Sequence, residues 1–267
     1  MTLNKLDQLL IEDIQNPDHP SDFIPREGYD VLILRLPEVG KHGISIVSYA
    51  FIVEGDRCYV FDRQSGELKP LGSLMELNKF LDEKTEQLIK AIKQYHYEIE
   101  RLEESLYDGQ LSSDFMERWL TYKKEVSLIQ RLMFHAALSF DLFISYHKKQ
   151  SSSTFRELAY ADIYEHMIRI RDLAQAALDK LDHLYDFYRA KVDEKMNRNV
   201  YYLTLLSGIF LPLTLVTGFF GMNTGGLPWT DDPHGTMKVV AVSLVLEVIF
   251  FLPFILQNMK KIKRFTR

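Results

Sequence analysis

Two sets of residues in this chain have the types and spacing to handle a cation. The first lies in an uncharged run near the C-terminal end. On a 3.6-residue helix, Asn197, Thr204, Ser207, Gly208, Leu211, Thr214 and Gly218 share one stripe at spacings of three, four and seven. An amide, hydroxyls and bare backbone can replace part of a cation's hydration shell, so the stripe suits the wall of a water-accessible lumen. Close helix–helix contacts in membranes use the same small residues, and the stripe alone leaves both uses open. Leu205, Ile209, Leu213, Val216 and Phe220 point away from it. The second set is Asp179, Asp182, His183 and Asp186, at i, i+3, i+4 and i+7 on one helical face. That spacing can hold a divalent ion, although a solvated helix face carries the same acids.

Glu247 stands alone inside a second apolar run, where an acid is costly and usually functional. It can carry a proton in a coupled transporter, bond to polar residues of the first run, or face lipid in its protonated form. His96, His135, His147 and His166 are scattered along helices and read as surface or packing residues. His234, beside Asp231 and Asp232, is a weak metal-attracting candidate. There is no P-loop, G-x-S-x-G, dinucleotide fingerprint or zinc-protease motif, so no enzyme is expected. A net charge of −5 disfavours nucleic acid as a partner. The single Cys58 excludes an intrachain disulfide framework and any Cys-based zinc cluster.

These residues need membrane-length helices to position them. Val200–Phe220 is 21 uncharged residues, enough to cross a hydrocarbon core of roughly 30 Å. Val239–Leu256 is 18 residues with one acid. Lys191, Lys195 and Arg198 precede the first run; Lys260, Lys261, Lys263, Arg264 and Arg267 follow the second. The expected location is the inner (plasma) membrane, and the positive-inside rule predicts cytoplasmic termini with an outer loop at 221–238. The N-terminus, with Asp7, Glu12 and Asp13, does not read as a signal peptide.

The rest reads as an α+β soluble part. Residues 1–72 contain strands, in VLILRL, ISIVSYAFIVE and RCYVFD. Residues 73–153 read as a helical hairpin, opened by a capping box at Ser73 and Glu76 and broken at Asp108-Gly109. A second box at Thr154 and Glu157 opens a helix over 154–220, roughly 100 Å long at 1.5 Å per residue. Its apolar seam, Ile163, Met167, Ile170, Ala174, Ala177, Leu181, Leu184 and Tyr188, alternates steps of four and three. Such a 3.5-residue seam packs either against other copies or against neighbours in the same subunit. A basic tail occupies 257–267. Two spans cannot enclose a pore, so a conduction path requires several subunits, each contributing its first span.

The run Met196–Asn223, MNRNVYYLTLLSGIFLPLTLVTGFFGMN, resembles the CorA family of divalent-cation transporters. It shares the N-x5-L-T opening, P-L-T at Pro212–Thr214, Gly218 and the terminal Gly221-Met222-Asn223. The resemblance implies a funnel-shaped homopentamer with a cytoplasmic α/β domain, long stalk helices and a pore lined by the first span. It implies that Gly221, Met222 and Asn223 form the outer selectivity mouth. Gly218, Thr214, Leu211, Ser207, Thr204, Leu203, Val200 and Asn197 would then descend the pore, with Leu203 and Val200 at a hydrophobic constriction. Asp186 matches a family position that takes part in regulatory metal binding between subunits. A neutral ring of amides and carbonyls suits a strongly hydrated divalent ion, because it holds the ion's waters without trapping it. Phe220 replaces the family's usual Tyr, and TGGLPW after the motif is closer to the zinc-transporting ZntB branch. Asp231 and Asp232 are candidates for mouth charge.

Three functions follow for comparison. One is a channel for Mg2+, Zn2+, Co2+ or Ni2+, with the cation as substrate and regulatory ligand and no other cofactor. Another is a proton-coupled zinc transporter using Glu247 or a histidine. The third is a non-conducting two-span sensor or anchor, which the stripe and the motif disfavour.

Overall fold

The run Val31–Leu34 is apolar on both faces, and a strand of that kind needs cover above and below. A computed structural model describes the chain apart from residues 1, 41–42, 108–113, 151–154, 156, 223–225, 230 and 266–267. It provides that cover. Strands β1 (Asp22–Arg26), β2 (Tyr29–Gly40), β3 (Gly43–Glu54), β4 (Arg57–Asp62) and β5 (Glu67–Ser73) form an antiparallel meander in sequence order. Helix α1 (Gln8–Gln15) lays Leu10 and Ile14 on one face, against Val31, Ile33, Ala50 and Ile52. The other face, with Leu32, Leu34, Leu36, Phe51 and Val53, packs into a helical core. The register sets Leu32 opposite Phe51 and Leu34 opposite Tyr49. Cys58 is buried on this second face, and burial pushes its thiol up to about 12, with Asp56 adding to the shift.

The helical core is built by α2 (Leu74–Tyr107), α3 (Phe115–Lys149) and the first part of α4 (Glu157–Phe220). Leu77, Leu81, Leu88, Ile92, Ile99, Leu102 and Leu106 of α2 are all buried, as their helical spacing predicts. Ser73 ends β5 and takes the position before the first residue of α2. The expected break at Asp108-Gly109 and the box residue Thr154 lie outside the described residues.

The seam of α4 settles one open question. Ile163 through Leu184 are buried against this chain's own α2 and α3, so neighbours within the subunit account for the 3.5-residue period. Polar contacts fasten the same face. The Tyr160 hydroxyl donates to the Leu74 carbonyl at 2.6 Å, and Trp119 Nε1 donates to the Leu181 carbonyl at 2.7 Å. Phe115 stacks on Tyr188 with ring centroids 4.5 Å apart.

The chain divides into two compact units, Met1–Tyr188 and Arg189–Arg267. The second contains the end of α4, a loop, and α5 (Gly235–Phe265). α4 holds a stretch long and apolar enough to cross a membrane, none of it buried. α3 passes the same test of length and apolarity, but half of that stretch is buried in the core.

Candidate cation pathway and metal cluster

On α4, Asn197, Val200, Leu203, Thr204, Ser207, Leu211, Thr214 and Gly218 are all exposed. Leu203 is 63% and Leu211 70% exposed, which is more than an apolar side chain of a folded core shows. Of the residues expected to point away, Leu205, Leu213, Val216 and Phe220 are partly covered, while Ile209 is exposed.

The two threonine hydroxyls on the stripe are tied to the helix backbone. Thr204 donates to the Val200 carbonyl at 2.9 Å and Thr214 to the Phe210 carbonyl at 2.7 Å. Because the hydroxyl hydrogen is committed to the helix, the oxygen's lone pairs are left to face outward as acceptors. Pro212, inside α4, has no N–H to give the Gly208 carbonyl one turn back. Acceptors therefore dominate this face, which suits a cation's waters better than an anion.

α4 ends at Phe220, and the Gly221 N–H closes the last turn on the Thr217 carbonyl at 2.9 Å. A Cβ at Gly221 would sit 3.0 Å from that carbonyl, a tight contact that a larger residue could make only if the carbonyl gave by a few tenths of an ångström. Met222 is exposed, and Asn223 lies outside the described residues. Further along the loop, Trp229 has φ +68° and its carbonyl runs so close to Gly235 that a Cβ there would lie 2.0 Å away. Asp232 pairs with Lys238 and accepts from the His234 backbone N–H at 2.8 Å. Lys238 beside it holds the Asp232 carboxyl below the usual carboxylate range. Much of the Asp232 charge is therefore offset locally, and the exposed Asp231 is the better source of charge in this loop. His234 is also exposed.

Glu247 shares one face of α5 with Gly235, Val239 and Ser243 at steps of four, and each of these is buried or partly covered. The acid thus sits on the covered face of its helix. Ser243 Oγ donates to the Val239 carbonyl at 2.8 Å.

Asp179, Asp182, His183 and Asp186 are all exposed. Asp182 pairs with Lys123 of α3 at 2.5 Å, and Asp179 accepts from Gln175 at 2.8 Å. Among the described residues the one set of three metal-donor side chains that converges is another: Asp82 of α2 with Asp162 and His166 of α4. Their donor atoms lie within 4.8 Å of one another. His166 Nδ1 is 3.7 Å from Asp82 Oδ1, and Nε2 is 3.9 Å from Asp162 Oδ1. Nδ1 is enclosed yet has no hydrogen-bond partner. Two carboxylates around an imidazole make a donor set for a divalent ion. The i, i+4 pair Asp162 and His166 is visible in the sequence, but Asp82 comes from a distant segment that only the α2–α4 packing brings near.

A protein-family profile described as "CorA-like Mg2+ transporter protein" matches residues 2–261. The Cobalt/magnesium transport protein CorA of Thermotoga maritima is 35% identical over 95 residues, covering 36% of this chain and 27% of that protein. The Zinc transport protein ZntB of Pectobacterium carotovorum is 30% identical over 162 residues, 58% of this chain and 49% of its own length. The chain thus spans about half the length of these curated relatives, or less. The structure of the CorA magnesium transporter from Methanocaldococcus jannaschii superposes with TM-score 0.75 at 18% identity, covering 93% of this chain and 83% of that one. With the profile matched over nearly its whole length, and a fold shared with a solved member, this chain belongs to the CorA-like Mg2+ transporter family.

Proposed function

We propose that this chain is one subunit of a homo-oligomeric divalent-cation channel, pentameric as the family resemblance implies. The α4 segment 200–220 and the α5 segment 239–256 cross the inner membrane, with both termini in the cytoplasm. The observation that carries the reading is the exposed, acceptor-rich stripe of α4 leading to Gly221-Met222-Asn223. A lumen lined by such stripes gives a hydrated dication oxygen partners without a ring of fixed charge. Exposed Val200 and Leu203 form the narrow apolar level, where water can be expelled to close the path. The membrane potential drives entry, contributing about 2.3 kcal/mol per elementary charge per 100 mV.

A second reading, proton-coupled zinc transport, draws on Glu247 lying on the covered face of α5. The testing experiment is metal uptake into liposomes by the purified full chain, comparing Mg2+, Zn2+, Co2+ and Ni2+ with and without a pH gradient. Uptake of at least one ion is expected. No uptake of any ion under either condition would overturn the proposal in favour of a sensor or anchor. Unchanged pH response in Glu247→Gln removes the coupled reading, and loss of that response in the variant establishes it.

Asp82, Asp162 and His166 supply feedback in this proposal. A metal held there ties α2 to α4 and favours the closed arrangement; its loss shifts the population toward the open one. Replacing both Asp162 and His166 by Ala is expected to raise the internal metal concentration needed for half-inhibition by about tenfold or more. Asp186→Asn, on the exposed face, tests the family-based alternative in the same flux assay.

A further inference from the structure

At one end of the sheet, the β1–β2 and β3–β4 turns meet the last turn of α3 around a pocket of about 410 Å3. Asp30 and His147 both line it, at 8% and 5% exposure. His147 Nε2 lies 3.4 Å from Asp30 Oδ2. The pair makes no hydrogen bond: His147 Nε2 and Asp30 Oδ1 are both enclosed without a partner. A buried imidazole and carboxylate serving only each other would close to a charge-assisted bond of about 2.7–2.9 Å. Two buried polar groups left without partners in one pocket are unusual and call for a ligand.

The separation has a chemical meaning. Ligand bonds of about 2.0–2.1 Å in tetrahedral geometry place two donor atoms about 3.3 Å apart. The Asp30–His147 gap matches that edge. The surroundings hold both donors in place. The Arg26 backbone N–H faces the Asp30 carboxylate. Phe155 stacks on the imidazole with centroids 5.4 Å apart, and Phe143 lies at 4.5 Å. Asp56 adds a second carboxylate to the same pocket.

We propose that Asp30 and His147 are two ligands of a binding site for a zinc-class divalent ion, completed by pocket water. An imidazole donor selects Zn2+, Co2+ or Ni2+ over Mg2+, which takes oxygen ligands and keeps its waters. The ion ties the start of β2 to the end of α3. The site lies wholly in the first unit and does not depend on the transport proposal.

The test is zinc retained per chain after equilibrium dialysis of the full chain, in a His166→Ala background that disables the other cluster. Asp30→Asn and His147→Gln are each expected to lose one zinc per chain, and excess Mg2+ should not displace the zinc of the parent. An unchanged zinc count in both variants overturns the proposal. If the variants do not fold, crystals of the unaltered chain grown with zinc decide by anomalous scattering at the zinc edge. A peak within bonding distance of Asp30 and His147 supports the site, and its absence overturns it.

Discussion

Asn223→Ala is expected to abolish divalent-cation uptake by the reconstituted full chain, cutting flux by about a hundredfold or more. The reasoning starts from the ion. A dication enters with its waters, whose hydrogens point outward, and a carboxamide oxygen accepts hydrogen bonds from them. Each such contact is worth about 0.5–1.5 kcal/mol net. In the proposed assembly one carboxamide would come from every subunit around a shared mouth, so one substitution would remove them all together. Their sum reaches about 3 kcal/mol, and every 1.36 kcal/mol is tenfold in rate. Alanine keeps the backbone, so assembly measured by size-exclusion chromatography should not change. Flux equal to the parent's, with assembly intact, would remove Asn223 from the conduction path.

The second large effect is on stability. Phe143→Ala is expected to destabilise the first unit by about 3–5 kcal/mol. Phe143 is fully buried, and its ring meets Phe23 of β1 at 5.5 Å, Phe140 of α3 at 5.8 Å and Tyr160 of α4 at 5.6 Å. One side chain thus joins the sheet to two helices, and three separate elements would have to move to fill the cavity. For a unit of this size the loss corresponds to a drop in melting temperature of about 10 °C. It can be followed by circular dichroism of the full chain in detergent. A change under 2 °C, by the same scaling, would show that the neighbours collapse into the space.

The parts of the fold that sequence reasoning reached are those with long, unbroken patterns. β2, β3 and β4 are rich in β-branched and aromatic residues, and the seams of α2 and α4 repeat over many turns. The parts it missed are short or disguised. α1 has eight residues, and its signal is the Leu6, Leu10 and Ile14 spacing with Asp7 capping the Leu9 N–H. β1 and β5 carry Pro25 and Pro70, which weaken a strand reading, yet both strands are sheet edges, where a missing N–H is tolerated.

Sites followed the same logic. The α4 stripe was legible because one helix presents it. Asp82 with His166, and Asp30 with His147, were not, because each pair joins residues from elements far apart in the chain. No local spacing encodes such a meeting. It depends on the packing of α4 along α2 and of the sheet end against α3.

Cys58 has a practical corollary. It is the sole cysteine, sealed behind the sheet, and its thiol is held near 12, so almost none is thiolate at neutral pH. Alkylating reagents and spin labels should therefore pass over it in the folded protein. The natural chain serves as a background for cysteine-scanning accessibility work. Thiols introduced singly from Val200 to Met222 can be titrated with membrane-permeant and impermeant maleimides, reading out which positions water reaches.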